Sequence, residues 1–165
     1  MINKHKQKGA ETVEFAMIAL LFFAVLFAII EFSRALFVWN ALTEATRRGA
    51  RMAVICPYES DIPAKVAIFD VIAGTLGTSP IIAGLTPDMV NVRYLDKDGE
   101  VTTDQTLIKF TEVSITGYTH TLLIPVWGRS LTAPPFTTTL PSESLGAVPT
   151  YPGEDPIDPD CHVNF

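Results

Sequence analysis

The sequence predicts an α+β protein: one long amino-terminal helix, then a short helix and a small antiparallel sheet. Three observations predict it. Residues 15–30 contain no charged side chain and are mostly large and apolar. Apolar and small residues then recur at spacings of three and four as far as Ala53, the period of a helix face. Beyond residue 89, β-branched and aromatic residues alternate with polar ones between Gly, Pro and Asp, the pattern of short strands joined by turns.

As a helix, the sixteen residues Phe15–Ile30 rise about 24 Å, short of a hydrocarbon core of about 30 Å. Val13 on one side and Phe32, Ala35, Leu36 and Phe37 on the other supply the missing length. Glu14 then sits near one interface, and Glu31 and Arg34 pair at i, i+3 near the other. Phe37 and Trp39 fall where aromatic rings favour the headgroup level. A buried helix of a soluble protein is the competing reading. So is a secretory signal peptide, since Lys4, His5, Lys6 and Lys8 imitate its basic start and Ser33-Arg34-Ala35 its cleavage site. Glu11 and Glu14 interrupt that pattern, and the segment after Ala35 stays helical.

Past the apolar run, Phe32, Ala35, Trp39, Leu42, Thr46, Gly49 and Ala53 mark one continuous face, with Glu44 and Arg48 paired at i, i+4 beside it. The helix is expected to reach about Val54, where Cys56-Pro57 ends it, because the ring of Pro57 disfavours helical geometry in the residue before it. Only the first half of such a helix fits in lipid. Ala45, Gly49 and Ala53 leave room for another backbone to approach, or Gly49 simply weakens the last turns.

Ser60-Asp61-Ile62-Pro63 reads as a helix start, with Val66, Phe69, Ala73 and Leu76 on one face and Gly77 with Pro80 as the stop. Val90, Val92 and Tyr94 alternate with Asn91 and Arg93, Asp96-Lys97-Asp98-Gly99 makes a turn, and Val101-Thr102-Thr103 begins a return strand. Thr111 to Thr121 reads as a further strand, and Phe136 to Leu140 as an edge strand between prolines. This sheet is expected to pack on the outer half of the long helix. From Pro134 onward there are seven prolines, with Glu154, Asp155, Asp158 and Asp160 near the end, a composition that builds no core.

The net charge of −6 is uneven. Up to Arg51 seven basic residues face four acidic ones; after it five face fourteen. No Lys/Arg cluster stands clear of carboxylates, so nucleic acid is not an expected partner, whereas a lipid membrane is. Three lysines before the apolar run and four arginines within about twenty residues after it leave orientation undecided. Cys56 and Cys161 either bridge, closing a loop of roughly 100 residues worth about 4–5 kcal/mol in the chain-entropy model, or remain thiols. Asp96, Asp98, Glu100 and Asp104 lack the ligand alternation of a calcium loop and read as a turn. His120 reads as a surface strand residue, and His162 beside Cys161 is too little for a metal site. No nucleophile elbow, zinc motif or phosphate loop is present, so no catalytic residue, metal or cofactor is expected.

Gly9-Ala10-Glu11-Thr12-Val13-Glu14-Phe15 resembles the type IV prepilin signature, with Gly before the cleavage site and Glu at the fifth mature position. Its form is that of the TadE-like pseudopilins of the tight-adherence (Flp-type) pilus. Glu31-Phe32-Ser33-Arg34-Ala35-Leu36-Phe37-Val38, Ala41-Leu42-Thr43-Glu44-Ala45 and Arg48-Gly49-Ala50-Arg51 are similar to the block that follows the membrane helix in that family. Ser33 stands where the family often has glycine, and the last two thirds of the chain match only loosely.

The resemblance implies a pilin-like fold and cleavage by a prepilin peptidase between Gly9 and Ala10. It also implies an amino terminus in the cytoplasm, an outer domain in the periplasm, and other pilins and pilus assembly proteins as partners. The corresponding divisions are a leader at 1–9, a membrane and packing helix at 10–54, an outer α+β domain at 55–133 and a proline-rich acidic tail at 134–165. Cleavage would create an α-ammonium at Ala10, a natural partner for the Glu14 carboxylate of a neighbouring subunit; otherwise Glu14 reaches to the headgroups, as Glu11 is expected to do. The alternative is a membrane-anchored extracytoplasmic enzyme or binding domain not processed at Gly9.

Overall fold

The computed structural model describes residues 8–70, 77–123 and 130–145. Helix α1 runs unbroken over Lys8–Ala53, 46 residues and about 69 Å. Every side chain from Ala10 to Ile30 is exposed except Ala19, and Glu31 is the first buried one among the described residues. From there Val38, Leu42, Ala45, Thr46, Gly49, Ala50 and Ala53 face the rest of the chain. The expected face thus holds from Leu42 onward and shifts at its start: Phe32 is 64% exposed. The neighbouring Glu31 takes the inward place because its carboxylate finds hydrogen-bond donors there. Arg48 Nε lies 3.3 Å from Glu44 Oε1, off the buried face as expected.

Helix α2, Ile62–Ala67, has Pro63 in its first turn; Ser60 Oγ accepts from the Ile62 N–H, and Asp61 makes no side-chain cap. It ends sooner than the periodicity predicts. Phe69 sits at φ +63°, with its N–H on the Val66 carbonyl and that of Asp70 on Lys65. This is a Schellman-type stop, built without the usual glycine. The left-handed backbone costs roughly 1–2 kcal/mol in a non-glycine residue, offset by burial of the ring beneath the Arg48 guanidinium, 4.8 Å from its centroid. Ala73 and Leu76, expected on the same helix, lie outside the described residues.

Strands β1 (Val90–Leu95), β2 (Phe110–Ile115) and β5 (Phe136–Pro141) form one antiparallel sheet in the order β1-β2-β5. Val92 pairs with Val113, and Val113 with Thr138. Strands β3 (Thr119–Thr121) and β4 (Ser130–Thr132) make a separate hairpin. Two expectations are corrected here. The stretch 111–121 is not one strand, because Gly117 at φ +76° breaks it. Val101 does not open a return strand: it makes a single bridge to Leu95, and β1 pairs with β2 instead. Burial decides between them, since Val113 and Ile115 are buried and Val101 is exposed. The edge strand near Phe136 is present, so the sheet draws on residues beyond 133.

Sheet and α2 close over the second half of α1. Leu42, Ala45, Ala53, Ile68, Leu85, Val113 and Ile115 form the core, and Thr46 Oγ1 and Thr138 Oγ1 meet at 2.9 Å. At Gly49 α2 comes close: a Cβ built there would lie 2.9 Å from Ala67 Cβ and 3.3 Å from the Pro63 carbonyl oxygen. The close-approach reading of this glycine therefore holds.

In the turn after β1, Asp96 Oδ1 accepts from the N–H groups of Asp98 and Glu100, at 2.8 and 3.0 Å, while Gly99 takes φ +83°. The bond from Glu100, with that from Asp98, holds the Asp96 carboxyl below its ordinary range. A depressed folded pKa means that the turn is reinforced above the ordinary value of about 3.9 and loses this contribution as pH falls through the lower folded value. Amide NMR titration is expected to show the Asp98 and Glu100 signals moving together below about pH 4, and Asp96→Asn to remove that step. A step at or above the ordinary value would contradict it.

Candidate functional site

The first half of α1 displays its apolar side chains outward. Phe15, Met17, Leu20, Leu21, Phe22, Phe23 and Phe27 are all at least half exposed. The window is long and apolar enough to cross a bilayer, and none of it is buried by the described residues. A soluble core helix would be covered. Backbone polarity is satisfied within the helix, and Ser33 donates its hydroxyl to the Ile29 carbonyl at 2.8 Å. Gly9, Ala10, Glu11 and Glu14 lie exposed in the opening turns. Among the described residues the Glu14 carboxylate has no hydrogen-bond or ion-pair partner within one copy of the chain.

Where the apolar half ends, a compact polar cluster begins. Arg34 Nη1 donates to Glu31 Oε1 at 2.8 Å, the i, i+3 pair expected from the sequence. What the sequence did not disclose is the other half of the cluster. The Leu123 N–H donates to Glu31 Oε2 at 3.1 Å, and Arg34 Nη2 donates to the Thr121 carbonyl at 3.2 Å. His120 is not a surface residue: it is 2% exposed, with Nε2 3.5 Å from Glu31 Oε1. At that separation the ring is an electrostatic neighbour and makes no formed hydrogen bond. No local motif announces these contacts, because they join residues about ninety positions apart. A carboxylate at the edge of an apolar span is costly unless paired, and here both its oxygens are engaged.

The other candidates are structural. Asp96 is engaged in its turn, Asp98 pairs with Lys97, and Asp104 Oδ1 accepts from the Thr106 N–H and hydroxyl. Among the described residues no group of three His, Cys, Asp or Glu side chains could hold a metal ion. A shallow groove beside β1 is lined by Tyr58, Val90, Val92, Tyr94 and Thr102, and its Arg93 is tied to Glu112. Cys56 is fully buried and is not a free thiol. Cys161, His5 and His162 lie outside the described residues.

A long helix, apolar and uncovered over its first half by the described residues and packed beneath a small sheet over its second, defines an α+β protein with one candidate membrane span. Residues 9–51 match the TadE-like protein family, the family that the glutamate-bearing signature resembles. The match covers α1 and stops before the outer sheet. No curated protein and no solved structure matches the chain.

Proposed function

We propose that the chain is a non-enzymatic minor pilin or pseudopilin of a tight-adherence (Flp-type) pilus, working in pilus assembly for surface attachment. A prepilin peptidase would cut between Gly9 and Ala10, leaving α1 in the inner membrane with its amino end cytoplasmic and the outer domain periplasmic. The observation that carries this reading is the coincidence of the TadE-like match at 9–51 with a helix whose apolar half none of the described residues covers. A membrane-tethered enzyme would need only the span, and would give no reason for the motif around Gly9. The same reading assigns Cys56 and Cys161 to one disulfide outside the cytoplasm, supported by a buried Cys56 that is not free.

Intact mass of the protein from a membrane fraction tests both points. It is expected to fit a chain that begins at Ala10 and lacks the two thiol hydrogens. Retention of Met1 favours the anchored domain that is not processed, and a start at Leu36 a secreted one; either result removes the pilin reading.

Glu14 carries the subunit role. Its carboxylate, exposed just before the apolar run begins and without a partner among the described residues of its own copy, would pair with the α-ammonium of Ala10 in a neighbour. Glu14→Ala is expected to leave insertion intact, since removing a carboxylate relieves up to about 3 kcal/mol of membrane penalty, while surface pili fall to near background. Normal piliation of that variant would leave Glu14 at the headgroups, with no pairing role.

A further inference from the structure

Helix α1 sets a depth scale for everything bonded to it. With Glu14 at one edge of the hydrocarbon, a core of about 30 Å consumes about twenty helical residues and ends near Arg34. The β3–β4 hairpin is fastened at this level. Its chain stays on the Glu31–Arg34 pair as β3 ends: the Thr121 carbonyl accepts from Arg34 and, two residues later, the Leu123 N–H donates to Glu31. Leu123 is an apolar side chain left 70% exposed at that depth. At the same level of the helix Phe32, Leu36 and Phe37 are exposed as well.

We infer that this end of the outer domain is a second membrane contact, in which Leu123 enters the headgroup and upper acyl region beside α1. The inference rests on the membrane reading of α1, and the occupant follows from continuity, because the patch begins where the apolar span ends. Glu31 explains the construction. The hairpin that carries Leu123 also supplies the N–H that engages the Glu31 carboxylate, so the charge is screened where the hydrocarbon begins. Two attachments, one spanning and one interfacial, fix the tilt and rotation of the domain over the membrane, which a single helix followed by a free linker would not do.

Photo-crosslinking of the full chain in phosphatidylethanolamine/phosphatidylglycerol vesicles tests the contact. Benzoylphenylalanine replaces Leu123, Phe23 within the span, or the exposed Val101, and adducts are read by mass. Lipid adducts are expected at positions 23 and 123 and not at 101. Lipid adducts at 23 with none at 123 would overturn the second contact and leave the span standing. An adduct between two protein chains at 123 would also overturn it, by assigning the patch to a second subunit. Absence of lipid adducts at 23 would remove the span itself, and the inference with it.

Discussion

Gly49→Leu is expected to detach the outer domain from α1, costing several kcal/mol of a total that for domains of this size is about 5–15 kcal/mol. A Cβ alone would lie 2.9 Å from Ala67 Cβ, 3.1 Å from Val113 Cγ1 and 3.3 Å from the Pro63 carbonyl oxygen. Two of these atoms belong to α2 and the third to the central strand, so no single flexible side chain can move aside. Gly49→Ala decides the sign. In an open helix, alanine would stabilise by roughly 1 kcal/mol over glycine. Here the crowding should outweigh that gain, giving a net loss of about 1–2 kcal/mol. Urea unfolding of the full chain in detergent, followed by near-ultraviolet circular dichroism, reads both variants. Gly99→Ala serves as a control, since it meets only backbone strain in an open turn. A rise in stability for Gly49→Ala would mean that the α1–α2 contact is looser than the structure has it.

Sequence and structure agree wherever the cause is local. An uncharged run followed by small residues at helical spacing made α1 legible almost to its last turn. The Glu31–Arg34 pair and the Asp96–Gly99 turn follow from separations of three residues. Disagreement begins where a distant contact decides. Nothing around Phe69 predicts a left-handed residue, because the bulk of the ring and its place under Arg48 hold it there. Val101 has the composition of a return strand, yet Val113 and Ile115 win the place beside β1 because they also cover α1. His120 looked like a surface residue because its neighbours Thr119 and Thr121 are polar and do face solvent. Its buried side faces a carboxylate contributed by a helix about ninety residues earlier, which no window along the chain can reveal.

Glu31→Ala is expected to release the β3–β4 hairpin while leaving the span in place. Glu31 is 8% exposed, and its carboxylate engages Arg34 and the Leu123 N–H, with His120 beside it. Its removal leaves the part-buried Leu123 N–H without its acceptor and the buried imidazole without the carboxylate beside it. Arg34, about a third exposed, can turn to water and recover part of its loss. The cost is therefore set below that of a fully buried pair, at about 2–4 kcal/mol. Glu31→Gln separates charge from hydrogen bonding: the amide oxygen can still accept from Leu123, so the hairpin should stay attached and the loss be smaller. Hydrogen exchange of the Leu123 amide reads this directly. It should accelerate strongly in the alanine variant and modestly in the glutamine one, while amides of α1 around Phe23 stay protected in both. If Leu123 kept its protection in Glu31→Ala, the hairpin would be held by its apolar contacts, and Glu31 would have no fastening role.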